Sequence, residues 1–310
     1  MTNHTMTASR IGDRQHAAYT RAVCLRCGTM LGATTWRCDA CGSEPSELDG
    51  FLSFAPELKD SDDCYAMEII DELARLEAQN FWFRSRNNLI VWAIQKYFPQ
   101  LSSFFEVGCG NGFVLTGIQQ AFPDVQIFGC DAMIQPLAYA KKRVPNAHLY
   151  QMDARNSPFE ESFDVVGAFD VLEHIEEDEL VLKDMYKTLK PGGGILITVP
   201  RYMGLWSRCD DFVKHVRRYE PGELEIKLTR CGFQMVRGTC FVSFLLPLLV
   251  ASRIWQHISP RPYDLVSELR VQGVVGGILE TILNVERRCI GKGLSPSIGG
   301  SLLAIAVKPR

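Results

Sequence analysis

The chain has 310 residues, 46% hydrophobic and 22% charged, with a formal net charge of -3; this excludes a disordered or fibrous chain and suits one large core with a small accessory module. A slightly acidic balance supplies no global cationic field for a polyanion, which disfavours bulk nucleic-acid binding. The polar stretch before residue 21 lacks the apolar core of a secretory signal, and the longest apolar run, Phe241 to Val250 continuing to Trp255, is shorter than the roughly 20 residues of a membrane span, so the expectation is a cytoplasmic protein, with membrane association left open.

In chain order, residues 1–20 are expected as a flexible tail. Residues 21–50 hold Cys24-Leu-Arg-Cys27 and Cys38-Asp-Ala-Cys41, each followed by a glycine, Gly28 and Gly42. Such turns place two thiolates on one side of a tight loop. Two facing turns complete a closed tetrahedral site, so Cys24, Cys27, Cys38 and Cys41 are expected to hold a structural zinc ion. Residues 51–80 read as a connector and the start of a helix, because helical apolar spacing runs from Ala66 to Phe98.

Beyond Pro99 short apolar runs alternate with helical stretches. Strands are predicted at Ser103 to Val107, Val125 to Cys130, Ala147 to Gln151, Phe163 to Phe169 and Gly194 to Val199. Helices are predicted at Gly112 to Phe122, Met133 to Val144 and Glu177 to Leu189, each closed by a proline-containing turn. This alternation implies an open parallel sheet with helices on both faces. A further helix, Pro221 to Cys231, leads to strands at Phe233 to Cys240 and Ser301 to Val307. Between those two strands lie about 241–299, far longer than the two to five residues usual in a hairpin loop. Helical spacing at Val271, Val275, Ile278, Ile282 and Val285 makes this a helical insertion, suited to capping a crevice, resting on an anionic membrane, or forming a homodimer seam.

The chemistry-bearing signal is Phe105-Glu106-Val107-Gly108-Cys109-Gly110-Asn111-Gly112, an acid at a strand end followed by alternating glycines that open a helix. Glycines let a ligand approach the backbone, and a helix start offers free N–H groups to an anionic end. A dinucleotide loop would need glycine where Phe113 stands. About twenty residues on, Asp131 ends the next strand, where an acid takes both hydroxyls of a ribose, and Asp153 follows the third strand.

With these elements in register the chain resembles the class I S-adenosylmethionine-dependent methyltransferases. The resemblance extends through Phe163-Asp-Val-Val-Gly-Ala-Phe-Asp170, Val171-Leu-Glu-His-Ile175 and Leu189-Lys-Pro-Gly-Gly-Gly194, and covers about 81–310. It implies an α/β Rossmann-like sheet, parallel except for one antiparallel edge hairpin strand, preceded by a small N-terminal zinc ribbon. The implied cofactor is S-adenosyl-L-methionine. Glu106 and the backbone of Gly108, Cys109, Gly110, Asn111 and Gly112 would hold its methionine end. Asp131, with Ala132 and Met133, would take the ribose, Asp153 and Ala154 the adenine edge, and Phe169 and Asp170 would flank the sulfonium.

Phe81-Trp-Phe-Arg-Ser-Arg-Asn-Asn88 resembles a segment of bacterial methyltransferases that carry such a ribbon, where the aromatics would close the cofactor pocket and Arg84 or Arg86 would meet a carboxylate, with Phe81 and Arg86 as candidate substrate residues; the other reading is a core helix with solvated arginines. Lys214-His-Val-Arg-Arg-Tyr219 resembles another such stretch, adding Arg217 and Tyr219 as substrate residues. His174 and His215 are candidate general bases. Asp170, Glu173 and His174 have i, i+3, i+4 spacing, which on a helix would share one face; the set resembles one that holds a divalent metal in some O-methyltransferases of quinone precursors, and one that merely shapes the pocket floor in relatives without a metal. The implied function is methyl transfer, most simply to oxygen, onto a small or lipid-linked metabolite such as a glycan precursor or a quinone-like phenol. The alternatives are a ribosomal or transfer RNA methyltransferase and a non-catalytic cofactor-binding module.

Overall fold

The structure is a computed structural model that describes residues 21–32, 35–58, 67–259, 263–271 and 273–310; the tail expected at 1–20 lies outside them. The strands are β1 (Arg21–Ala22), β2 (Ser46–Leu48), β3 (Phe51–Ser53), β4 (Ser103–Val107), β5 (Gln126–Asp131), β6 (His148–Gln151), β7 (Phe159–Glu160), β8 (Phe163–Phe169), β9 (Leu189–Pro200), β10 (Gln234–Phe241) and β11 (Ser301–Val307). The helices are α1 (Met67–Leu76), α2 (Phe81–Tyr97), α3 (Phe113–Ala121), α4 (Ile134–Arg143), α5 (Asp178–Thr188), α6 (Arg208–Phe212), α7 (Glu223–Arg230), α8 (Leu246–Ile258), α9 (Leu265–Leu269) and α10 (Gly273–Gly291).

Nine strands form one sheet in the order β10-β11-β9-β8-β4-β5-β6-β3-β2. Strands β4, β5, β6, β8 and β9 are mutually parallel, and helices cover both faces, so the strands read as continuous apolar runs. Phe104 and Phe105 show how this works: with a period of two, they point to opposite faces. Phe104 packs with Ile90, Ile94, Leu115 and Ile118 of α2 and α3. Phe105 packs with Phe128, Phe163 and the Leu182 and Met185 of α5. From β4 the chain moves outward through β5 and β6, then returns to lay β8 on the other side of β4. That reversal opens a crevice at the carboxyl ends of the strands, where α/β sheets bind ligands.

Three expectations change. The parallel sheet carries two antiparallel strands rather than one: β11, inserted between β9 and β10, and β2. The residues expected as connector include β3, which pairs parallel with β6 and so joins the N-terminal segment to the main sheet. Trp36 tightens that junction by edge-on contacts with Phe54, Tyr150 and Phe159. The helical stretch from 66 to 98 is two helices, because the Asn80 carboxamide caps α2 by accepting the N–H of Trp82 at 2.8 Å and of Phe83 at 3.4 Å. The insertion holds α8, α9 and α10 and packs on α1 and α2. Arg84 pairs with Glu280, Arg270 with Glu72, and Leu283 and Ile290 bury against the same core as Leu89.

Candidate active site

Gly108, Gly110 and Gly112 all have positive φ, +68°, +49° and +74°. A Cβ on Gly108 would sit 2.5 Å from Val171, whereas one on Gly110 would meet nothing within 4 Å. Packing therefore requires glycine at 108, while Gly110 borders open space that a ligand can enter. Beside it Glu106, 2% exposed, keeps its Oε2 without a hydrogen-bond partner among the described residues. Burial pushes the Glu106 carboxyl well up, against the pull of Arg86. A buried acceptor of this kind calls for a donor, and an ammonium group supplies one.

Asp131 shapes the opposite wall. Its Oδ2 accepts the N–H of Gly110 at 2.9 Å and its Oδ1 that of Met133 at 3.0 Å. Each oxygen keeps a further lone pair for a hydroxyl. Next to it the Ala132 carbonyl is held by Gln151 at 2.7 Å. Asp153 follows β6, where Arg155 grips both of its oxygens at 2.8–3.1 Å and also reaches Glu177 at 2.8 Å. Ala154 packs against the core behind it.

Phe169, buried, ends β8, and Asp170 follows at a φ of +58°. The Asp170 carboxylate pairs with Arg86 and accepts from the Thr198 hydroxyl at 3.2 Å. Arg86 is itself buried, its guanidinium 4.7 Å from the centre of the Trp82 ring and 5.5 Å from that of Phe83. The segment at 81–88 therefore delivers one arginine, Arg86, to the site. Arg84 turns to the insertion instead, and Phe81 packs beside the core.

The histidines lie together. His174 and His215 meet edge to face with ring centres 4.6 Å apart. The Nδ1 of His215 is 2.8 Å from the Asp210 Oδ1, and Arg218 holds the same carboxylate at 2.7 and 3.0 Å. Burial would raise Asp210, but the hydrogen bonds from His215 and Arg218 outweigh it and hold the acid well below the usual carboxylate range. Burial, with His215 adding to it, pushes the His174 imidazole down to about 3, so it is neutral near pH 7. Near the two rings Glu173 is fully buried with neither carboxylate oxygen hydrogen-bonded among the described residues. Burial first, then Asp170, raises its carboxyl well above the ordinary value.

The expected set of Asp170, Glu173 and His174 does not form. Residues Leu172–His174 are a single 3-10 turn after the left-handed Asp170, so α-helical spacing does not apply, and Asp170 turns to Arg86. Tyr219 and Arg217, expected at the substrate, close on Asp178 at 2.6 and 2.8 Å, with Tyr219 fully buried. They tie the loop to the start of α5. Asp210 is marked in the sequence only by Ser207-x-x-Asp210, a capping box at α6, whereas Arg218 stands within the Lys214–Tyr219 stretch.

In the N-terminal segment the two turns are alike: Gly28 N–H reaches Cys24 O and Gly42 N–H reaches Cys38 O, each at 2.8 Å. The Cys24 and Cys41 sulfurs are 3.6 Å apart, those of Cys27 and Cys38 3.5 Å. A tetrahedron with Zn–S near 2.3 Å has edges of about 3.8 Å, so the donor set fits a closed zinc site.

Residues 105–197 match the family described as a methyltransferase domain. A protein of Mycolicibacterium smegmatis named a probable S-adenosylmethionine-dependent methyltransferase is 24% identical over 163 residues, 52% of this chain and 62% of that protein. A demethylmenaquinone methyltransferase of Chlorobaculum parvum is 27% identical over 43% of this chain and 54% of its own length. The chain thus spans less than two thirds of these relatives. Phosphoethanolamine N-methyltransferase 2 of Haemonchus contortus, solved with S-adenosyl-L-methionine, superposes with a TM-score of 0.53 at 21% identity, over 84% of this chain and 61% of that one. The fold and the family match agree: residues 105–197 match a methyltransferase domain and lie within a Rossmann-like sheet, with the glycine cradle inside the matched stretch.

Proposed function

We propose that the protein transfers the methyl group of S-adenosylmethionine to an oxygen of a small or lipid-linked acceptor, a glycan precursor or a quinone-like phenol. The observation that carries this reading is the Glu106 Oε2, without a hydrogen-bond partner among the described residues, beside the open glycine cradle and opposite Asp131. Glu106 would hold the ammonium of the methionine end, the cradle its carboxylate, and Asp131 the ribose hydroxyls. The cofactor supplies a methyl already activated on a sulfonium, so the chain's task is positioning and removal of the acceptor's proton. His215, fixed from behind by Asp210, would receive that proton at Nε2. The four cysteines would hold zinc and keep the N-terminal turns closed.

Asp131→Ala is expected to weaken S-adenosylmethionine binding by roughly 1.5–3 kcal/mol, since a charged acceptor for two hydroxyls is lost. Asp131→Asn should cost less, because one acceptor oxygen survives. Calorimetry decides this, and unchanged affinity in the alanine variant would refute the assignment.

The lipid-linked part rests on α8. Among the described residues no helix is long and apolar enough to cross a membrane, yet Leu248, Ile254, Trp255 and Ile258 are 54–74% exposed on this one helix. An exposed apolar face of this kind suits shallow contact with a bilayer. Sedimentation with anionic vesicles is expected for the wild type and is expected to be lost in a Leu248→Glu, Ile254→Glu double variant. Equal sedimentation of the two proteins would remove lipid from the proposal.

A further inference from the structure

We infer that Glu173, His174 and His215 form a divalent transition-metal site with open positions facing the crevice. Their nearest ligand atoms all lie within 4.8 Å of one another. The two imidazoles are held from behind, His215 by the Asp210 carboxylate at 2.8 Å and His174 by a hydrogen bond to the Val213 backbone. This is how metal-binding histidines are oriented, because the outer bond fixes the tautomer and turns the other nitrogen inward.

The charge balance points the same way. Asp170 has Arg86 and Asp210 has Arg218 as contacting counter-charges. Glu173, fully buried where Asp170 is partly exposed, has among the described residues no hydrogen bond at its oxygens and no Arg or Lys in contact; His215 Nε2 lies 3.9 Å from its Oε1. A cation between Glu173 and the two rings satisfies all three groups at once. Two imidazoles and one carboxylate suit zinc, iron(II), cobalt(II) or manganese(II) rather than calcium or magnesium. Three protein ligands leave room for one or more oxygens of an acceptor, and His174 and His215 are partly exposed, which gives that acceptor access.

The inference deepens the methyl-transfer reading and rests on it only for the ion's use. An acceptor hydroxyl on the ion would lose its proton to water more readily, so with the ion bound the two histidines would hold it and His215 Nε2 would be a ligand in place of the base of the metal-free reading. Binding of the ion itself is independent of turnover, which lets the two be tested apart.

The test uses the full, untagged chain after dialysis against a chelator, which empties an open three-ligand site before a closed four-thiolate one. The protein is titrated with cobalt(II) alone. Cobalt on thiolates gives intense sulfur-to-metal charge-transfer absorption, whereas cobalt on imidazole and carboxylate gives only weak ligand-field bands. One equivalent showing only the weak bands is expected, lost in Glu173→Gln and in His215→Ala. Glu173→Gln keeps the side-chain volume and puts a neutral amide in place of a buried carboxyl, so folding is preserved and the loss is readable. Absence of that equivalent, or its survival in both variants, would overturn the site, whatever methyl transfer itself shows.

Discussion

Arg86→Met is expected to lower the stability of the protein by about 3–5 kcal/mol, the usual consequence of removing one partner of a buried ion pair. Methionine keeps the apolar stem against Trp82 and Phe83 but leaves Asp170 without a counter-charge, and Glu106 without the cation that opposes its desolvation. The loss comes from the stranded acids more than from the missing bond. Pairing the change with Asp170→Asn should therefore recover part of it, a coupling that a double-mutant cycle in urea reads directly. A loss under about 1 kcal/mol, on the scale of an exposed pair, would mean that Arg86 is solvated and that α2 does not close on the site.

Substitution of His215 by alanine is expected to reduce turnover by roughly a hundredfold or more, while affinity for S-adenosylmethionine changes little. The cofactor is assigned to groups on β4, β5 and the glycine cradle, whereas His215 lies beyond Asp170 on the loop after α6. His174 separates the two ways in which His215 can act. With its imidazole driven down to about 3, His174 is a poor proton acceptor near pH 7, so a base mechanism tolerates His174→Ala with less than a tenfold loss. A metal held by both rings makes the two alanine variants equally damaging, and chelation of the wild type reproduces them. Turnover that survives both substitutions would leave positioning as the whole of catalysis.

The parts legible in the sequence are those whose partners are close in the chain or whose period is regular. Strands β4, β8 and β11 coincide with the predicted apolar runs, because a strand buried on both faces has few other ways to be written. The place of Asp131 at the end of β5 is legible because the run before it is apolar. Other features depend on distant neighbours. The loop from 213 to 219 holds two expected substrate residues, but Tyr219 and Arg217 are claimed by Asp178, about forty residues earlier. Asp153 is taken by Arg155 two residues on, a contact that spacing allows but does not demand. The role of β3 is hidden for another reason: Phe51–Ser53 is three residues long, too short to show any period, and its meaning comes only from pairing with β6.

The place of β11 also governs the order in which the molecule can assemble. Among the described residues β10 touches the rest of the sheet only through β11, which stands antiparallel between it and β9. As the chain leaves the ribosome, β10 has no sheet edge to join until Ser301–Val307 has been made, about sixty residues after β10 itself, although the insertion helices can already dock on α1 and α2. During that interval the edge of β9 is an unpaired template for any other strand, the kind of surface that draws aggregation and chaperones. Closure of the sheet is thus the concluding event, and a ribosome stalled shortly before Ser301 would hold a chain with its central strands in place and one flank still open.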